Sequence, residues 1–206
     1  MSIITFWDTE TTGLIEFKKP NNHPSQPHLV QLACLMIDLD DLTLESKVLG
    51  KTSLIVKSPV ESGEKALAAH GITHEMSSSL GVNPESATRL WNHFRDRSDL
   101  MVAHNKSFDM RVMEIQMSRY NPEYRPFAGI EHSCTMQMAT SIVKCPPTEK
   151  MIAAGMGKRF KSPSLSECYR HFFYEHLEGA HDAMVDTEAC ARVYLHIRKR
   201  QAMQES

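Results

Sequence analysis

The segment Phe6-Trp7-Asp8-Thr9-Glu10-Thr11-Thr12-Gly13 follows a short apolar run, Ile3-Ile4-Thr5, that predicts the start of a β-strand. Residues two apart in a strand point to the same face, roughly 7 Å from each other, so Asp8 and Glu10 should project together. Two carboxylates on an otherwise apolar strand are costly unless a partner neutralises them. A divalent cation is one such partner, because Mg²⁺ prefers hard oxygen ligands. A strand end with a solvated acidic turn explains this segment equally well.

Two more acidic segments lie far along the chain, Ala103-His104-Asn105-Lys106-Ser107-Phe108-Asp109 and His181-Asp182-Ala183-Met184-Val185-Asp186. Asp109 falls in the first turn of a predicted helix, where the helix dipole alone would account for an acid. Asp182 and Asp186 are one helical turn apart and share a face, so either could be a metal ligand. Asp182 adjoins the helix start and would also serve as its N-cap.

These three segments resemble, in their order and wide spacing, the motifs of the DEDDh-type 3′→5′ exonucleases. That family includes the proofreading epsilon subunit of bacterial DNA polymerase III. The first motif is DTETTGL from Asp8 to Leu14, and the second is AHNKSFD from Ala103 to Asp109. The third is His181, four residues, and then Asp186, which selects Asp186 over Asp182. Each motif alone is a weak signal, but three in order, within a resemblance covering roughly residues 3–197, make a strong one.

The resemblance implies a metal-dependent 3′→5′ exonuclease that hydrolyses the last 3′ phosphodiester of DNA and releases a 5′-mononucleotide. Two divalent ions about 4 Å apart can stabilise the attacking and leaving oxygens of such a reaction. We expect two Mg²⁺ or Mn²⁺ ions, with Asp8 bridging them and His181 acting as general base. The four expected metal ligands are Asp8, Glu10, Asp109 and Asp186.

The resemblance also implies where the substrate binds. The stretch Ala68-Ala69-His70-Gly71-Ile72-Thr73 resembles a His-Gly-Ile segment that lies against the terminal nucleotide in the epsilon group. A helix C-terminus closed by Gly71, with Ile72 simply buried, is the alternative interpretation. We expect the 3′ end to be seated by the backbone of the first motif and flanked by the second. The expected substrate-binding residues are Thr11, Thr12, Gly13, Leu14, His70, Ile72, Asn105 and Phe108.

Composition limits the classes of protein and partner. One domain is the default for 206 residues, so a single exonuclease domain over 1–206 is expected. The formal charge of −2 is unlike that of proteins that hold long nucleic acid by electrostatics. The chain should therefore grip only a single-stranded DNA end, or rely on a partner such as a DNA polymerase.

The cysteines and the hydropathy pattern indicate the compartment. Five cysteines without a Cys-x-x-Cys pair argue for a reducing compartment, and no ligand spacing supports a zinc site. Neither a signal peptide nor an apolar run of about 18 residues is visible, so we expect a cytoplasmic protein without a membrane partner.

The fold implied by the resemblance is ribonuclease-H-like: an α/β class with a mixed five-stranded sheet, helices on both faces and the site at one sheet edge. Apolar runs predict further strands at 28–37, 51–57, 100–103 and 130–134. Capping and periodicity predict helices at 62–69, from 84, around 108, 135–144, 164–174 and 182–200. The first three strands should form an antiparallel meander. Residues 15–27 should be an exposed connection and 145–163 an irregular one.

Other functions stay open at this point. Within the same superfamily the chain could be a 3′→5′ exoribonuclease that trims RNA, although its Thr-Glu-Thr-Thr-Gly motif looks more like that of the DNA group. It could also be a catalytically silent module that binds a nucleic-acid end. The segment Lys158-Arg159-Phe160-Lys161 could hold a strand by phosphate contact and base stacking, but a solvated loop is the simpler interpretation.

Overall fold

The central strand of the sheet is the one that carries the first acidic motif. A computed structural model describes residues 1–205, and in that range five strands form one sheet in the order β3-β2-β1-β4-β5. β1, β2 and β3 pair antiparallel as the expected meander, whereas β4 and β5 run parallel to β1. This mixed sheet confirms the expected fold class. The strands are β1 Ser2–Thr11, β2 Leu29–Leu39, β3 Ser46–Ile55, β4 Leu100–Ala103 and β5 Glu131–Cys134.

Several helices begin at capping residues that the sequence offers. Asn83 accepts hydrogen bonds from two backbone amides of the third helix, and Ser164 forms a capping box with Glu167 at the seventh. No helix within residues 1–205 is long and apolar enough to cross a membrane. The helices are α1 Glu64–His70, α2 His74–Leu80, α3 Pro84–Arg95, α4 Lys106–Ser118, α5 Thr135–Val143, α6 Glu149–Ala153, α7 Leu165–Phe173 and α8 Ala183–Glu205.

Two short helices and one helix end differ from the sequence expectation. α2 and α6 were not expected, because neither shows an apolar stripe; a threonine N-cap accepts a backbone hydrogen bond at the start of each. α8 continues past Arg200 to Glu205, since neither glycine nor proline follows to end it. The basic run Arg198-Lys199-Arg200 therefore precedes the last turn of the helix.

Helices pack on both faces of the sheet around two apolar cores. Phe6 and Trp7 are neighbours in β1 and point to opposite faces. Phe6 meets Tyr194 of α8 edge to face at 5.5 Å between ring centroids, and Trp7 meets Trp91 of α3 at 5.2 Å. β2 is buried along almost its whole length, as its continuous apolar sequence predicted.

The connection between β1 and β2 is more ordered than the expected exposed loop. Ile15 and Gln26 are buried in it. The side-chain amide of Gln26 donates to the carbonyls of Glu16, Lys19 and Pro20, and its oxygen accepts from the Glu16 amide. Because this buried side chain is both donor and acceptor, it provides hydrogen-bond partners for the backbone carbonyls and the amide of the connection. Composition alone did not reveal this interior contact.

Candidate active site

The acidic motifs meet where β1 and β4 end and where α4 and α8 begin. β1 and β4 are parallel, with Thr5 opposite Met101, so their carboxyl ends lie side by side. Asp109 lies in the first turn of α4 and Asp186 in the first turn of α8. Because α4 and α8 belong to the two different cores, their first turns approach the end of β1 from opposite faces. The site therefore lies at strand ends in the middle of the sheet, not at one sheet edge as expected.

A cleft of about 820 Å³ opens at this position. The four expected metal ligands and His181 all line it, together with most of the expected substrate-binding residues. Thr12, His70 and Ile72 are not among its lining residues. The expected residues that line the cleft are Asp8, Glu10, Thr11, Gly13, Leu14, Asn105, Phe108, Asp109, His181 and Asp186.

Asp109 is fixed in place by the strand beside it. Its Oδ1 accepts hydrogen bonds from the Thr9 hydroxyl at 2.7 Å and from the Thr9 amide at 3.1 Å. Burial raises the pKa of Asp109 to about 7, even though the bonds from Thr9 act in the opposite direction. One carboxylate oxygen is thus occupied by β1, and the orientation of the group is set before any ligand binds.

Asp186 carries a buried oxygen that nothing satisfies. Its Oδ2 accepts a hydrogen bond from the His181 amide at 3.1 Å. Its Oδ1 is buried and has no hydrogen-bond partner among residues 1–205. Burial raises the pKa of this carboxyl, and contact with His181 lowers it in part. An unpartnered carboxylate oxygen among other acids is suited to a cation, because leaving it unpaired costs free energy.

The pKa values of Asp8 and Glu10 are both strongly raised. Burial, followed by the charges of Asp109 and Asp186, raises the pKa of Asp8 well above its usual range. Burial and Asp186 raise the pKa of Glu10 to about 8. The metal-free site thus disfavours its own negative charge, which a divalent ion would compensate. This set of hard oxygen donors fits Mg²⁺ or Mn²⁺.

His181 stands at the mouth of the acidic cluster. Its side chain is exposed, and its backbone adopts φ = +71°, an uncommon conformation for a residue with a side chain. One ring nitrogen and the carboxylate oxygens of Glu10 and Asp186 lie within 4.8 Å of one another. This position allows the imidazole to act on a water held by the cluster or to serve as a further ligand.

The start of α8 is fastened beside Glu10 by two polar side chains. Oδ1 of Asp182 accepts hydrogen bonds from the amides of Met184 and Val185, which confirms Asp182 as the helix cap. Oδ2 of Asp182 accepts from Nε2 of Gln31 at 2.9 Å. Gln31 lies opposite Glu10 in the β1–β2 ladder and also accepts a hydrogen bond from the first amide of α8. These contacts set the position of Asp186 relative to β1.

The turn after β1 divides into a cleft-facing part and a structural part. Leu14 is 86% exposed on the wall of the cleft, while the Thr11 hydroxyl donates to the carbonyl of Gly13. Thr12 exchanges hydrogen bonds with the backbone of His28, and its carbonyl accepts from the amide of Gly63. The backbone donor and acceptor of Thr12 are therefore occupied within the protein, and Thr12 holds the turn against its neighbours.

His70 and Ile72 close the C-terminus of α1 behind the cleft. Gly71 adopts a left-handed conformation, and Nδ1 of His70 accepts a hydrogen bond from the Ile72 amide at 2.9 Å. Ile72 is buried, as the alternative interpretation of this segment proposed. Nε2 of His70 is also buried and lacks a hydrogen-bond partner within residues 1–205.

The sequence interpretation did not identify one wall of the cleft. Lys65 of α1, Met136 of α5 and residues 162–165 line the cleft together with the acidic motifs. The ring of His104 connects two of these elements, since Nδ1 accepts from the Thr135 hydroxyl and Nε2 donates to the carbonyl of Pro163. These contacts join segments that are far apart in the chain, so a local sequence pattern does not predict them.

A family model described as an exonuclease model, RNase T, matches residues 5–194. The chain belongs to this exonuclease family. The matched range contains all four expected carboxylates and His181, and it confirms the resemblance seen in the sequence. Members of this family are exonucleases, and the family implies dependence on divalent metal.

Solved structures with the same fold include several of exonuclease I. The E. coli enzyme in complex with a dT13 oligonucleotide is 18% identical, with a TM-score of 0.72, and the alignment covers 99% of this chain and 42% of that one. The zinc-bound E. coli complex with single-stranded DNA is 21% identical, with a TM-score of 0.70, covering 98% and 41%. Exonuclease I from Methylocaldum szegediense is 23% identical, with a TM-score of 0.67, covering 98% and 41%.

These similarities show the shared fold. The chain spans about two fifths of the length of the exonuclease I structures that it matches. No curated protein sequence matches the chain significantly.

Proposed function

We propose that this enzyme removes nucleotides one at a time from the 3′ end of single-stranded or frayed DNA and releases 5′-mononucleotides. The observation that carries the proposal is the convergence of four carboxylates from three distant segments at one cleft, with an unpartnered buried oxygen on Asp186. Such a cluster destabilises the folded protein unless a cation binds to it, because like charges repel and burial disfavours ionisation.

Asp8, Glu10, Asp109 and Asp186 would hold two divalent ions, with Asp8 between the other carboxylates. When bound, such a pair supplies an activated water and neutralises charge on the attacking and leaving oxygens. Asp109 presents only one free oxygen because Thr9 occupies the other. This restriction gives the site a defined set of ligand directions, which matters because Mg²⁺ demands near-ideal geometry.

His181 would accept the proton of the attacking water. It is the cleft histidine whose ring lies next to Glu10 and Asp186, whereas the ring of His104 is occupied by Thr135 and Pro163. The hydrogen bond from the His181 amide to Asp186 couples the loop that carries this histidine to a metal ligand. The general base and the metal site would therefore be positioned together.

The cleft supports a strand end as substrate. Leu14 and Phe108 offer apolar surface for the terminal bases, and Lys65 is an exposed cation on the cleft wall that can meet a phosphate. The formal charge of −2 suits a small contact of this kind. Single-stranded DNA is also what the exonuclease I complexes contain. A DNA polymerase would be a suitable partner, because it would hold the rest of the DNA that this near-neutral chain does not.

The proposal is tested with matched DNA and RNA oligonucleotides of one sequence, labelled at the 5′ end, in Mg²⁺ and in EDTA. We expect a metal-dependent ladder that shortens from the 3′ end of DNA and a slower reaction on RNA, since the 2′-hydroxyl is the group to be discriminated. Faster cleavage of RNA would assign the enzyme to RNA trimming. Absence of cleavage on both would favour the silent binding module.

A further inference from the structure

The segment between α5 and α7, residues 145–161, forms a closed loop beside the cleft; we term it the basic loop. Its two ends meet, because the Lys161 amide donates to the carbonyl of Cys145 at 3.0 Å. The Lys161 ammonium also pairs with Glu167 in the first turn of α7. The short helix α6 lies inside the loop. The loop is thus a folded unit rather than an extended linker.

The basic loop runs directly into one wall of the cleft. Residues 162–165 line the cleft that the acidic motifs also line. Pro163 in this wall is buried, and its carbonyl accepts the hydrogen bond from Nε2 of His104 at 3.1 Å. His104 directly follows β4, so the wall is fastened to the strand that leads to Asn105 and Asp109. The position of the basic loop relative to the carboxylates is therefore fixed.

Two of the cations on this loop and one exposed aromatic ring have no polar partner among residues 1–205. The loop carries four basic residues and one acidic residue in a chain whose formal charge is −2. The side chains of Lys158 and Arg159 are exposed and make neither a hydrogen bond nor an ion pair within the part of the chain that the structure describes. The side chain of Phe160, which follows them, is 46% exposed. At most about 18 Å of backbone separates Lys158 from Pro163.

We propose that Lys158, Arg159 and Phe160 bind the single strand a few nucleotides upstream of the 3′ end that occupies the cleft. The two cations would contact successive phosphates, and the ring of Phe160 would stack on a base. Cationic grooves with aromatic platforms hold single strands without sequence preference, because every base has a π-face. This inference rests on the proposed function, and it adds that the enzyme should prefer strands long enough to reach from the cleft to the basic loop.

The chain provides a matched control for a test of these charges. Lys199-Arg200 is a second exposed Lys-Arg pair, located on α8, and neither side chain makes a hydrogen bond or ion pair within residues 1–205. Lys158→Gln/Arg159→Gln and Lys199→Gln/Arg200→Gln therefore change net charge equally at exposed positions. Binding of fluorescent poly-dT to each variant is measured by anisotropy in EDTA, where no hydrolysis occurs, across a series of salt concentrations.

We expect only the basic-loop variant to bind weakly. Each lost phosphate contact reduces the salt dependence of log K on a single strand by about 0.7, so two contacts correspond to about 1.4. Phe160→Ala should weaken binding at least about fivefold through lost stacking. In Mg²⁺, kcat/KM of the basic-loop variant should fall on long poly-dT and stay unchanged on a dinucleotide. Equal affinity and equal salt dependence of the two double variants would overturn the inference.

The proposed function and the role of the basic loop can be refuted separately. If wild-type protein degrades DNA in a metal-dependent way but the two double variants behave alike, the proposed function stands and the role of the basic loop is refuted. If wild-type protein degrades no nucleic acid, the proposed function is refuted, and the anisotropy comparison still decides whether the loop binds a strand. A loss on the dinucleotide equal to that on long poly-dT would also refute the upstream site.

Discussion

The cap of α8 offers a direct test of how the fold positions the site. Replacing Asp182 by alanine removes the two hydrogen bonds that its carboxylate accepts from the helix amides and the one that it accepts from Gln31. Loss of an N-cap costs about 1 kcal/mol. Loss of the bond between the carboxylate and Gln31, which is buried, adds about 1–2 kcal/mol. Relief of repulsion between Asp182 and the nearby carboxyls offsets a part of this.

We therefore expect the Asp182→Ala protein to be less stable by about 2 kcal/mol, which lowers Tm by about 4–8 °C in a chain of 206 residues. Thermal unfolding followed by circular dichroism in EDTA measures this change. The matched control is Glu188→Ala, an acid on the same helix whose side chain pairs with Lys51 in an exposed ion pair. Because exposed pairs contribute about 0–1 kcal/mol, the control should change Tm little.

The same substitution should impair catalysis, because Asp182 sets the start of the helix that carries Asp186. A loss of about tenfold or more in kcat/KM is the magnitude expected when a group that orients a metal ligand is removed. Asp182→Asn, which keeps an oxygen to cap the helix, should retain more stability than Asp182→Ala. If Asp182→Ala unfolds at the wild-type temperature and turns over DNA normally, this account of how α8 is anchored is wrong.

Three further predictions concern the carboxylate cluster. Because the pKa of Glu10 is raised to about 8 and that of Asp109 to about 7, the folded protein binds protons more tightly than the unfolded chain. The stability of the metal-free protein should therefore fall as pH rises from about 6.5 to about 8.5. A Tm in EDTA that rises over this range contradicts the prediction. Asp8→Asn should raise Tm in EDTA, abolish the Tm increase caused by Mg²⁺ and eliminate cleavage, and an undiminished response to Mg²⁺ would exclude Asp8 as a ligand. His181→Ala should lower kcat about 10²–10⁴-fold while keeping the Mg²⁺-induced Tm increase, and loss of that increase would make His181 a metal ligand instead.

Local patterns were sufficient to predict the elements that carry the acidic motifs. The alternation in β1, the continuous apolar run of β2 and the short β4 agree with the structure. The capping box at Ser164 also formed as its sequence indicates. In each case the decisive physical interaction lies within a few residues, or it depends on burial of an apolar run, which composition reveals.

The parts that could not be predicted depend on contacts between distant segments. Gln26 organises the β1–β2 connection through bonds to backbone carbonyls, and a glutamine in a polar loop gives no sign of this. The contact of His104 with Pro163 spans 59 residues and decides where one wall of the cleft lies. Thr12 was expected to face the substrate, but its hydrogen-bonding groups are taken by the backbone of His28 and Gly63. Only the assembled fold shows which neighbour each side chain meets.

The most direct measurement is degradation of a 5′-labelled single-stranded DNA in Mg²⁺ by wild-type protein, Asp186→Ala and Glu188→Ala. The two variants each remove one acid from the first part of α8, but only Asp186 lines the cleft with a buried, unpartnered oxygen. We expect a ladder that shortens from the 3′ end with wild type and Glu188→Ala, and none with Asp186→Ala or in EDTA. Persistence of the ladder with Asp186→Ala would contradict the assignment of this carboxylate cluster as the catalytic centre.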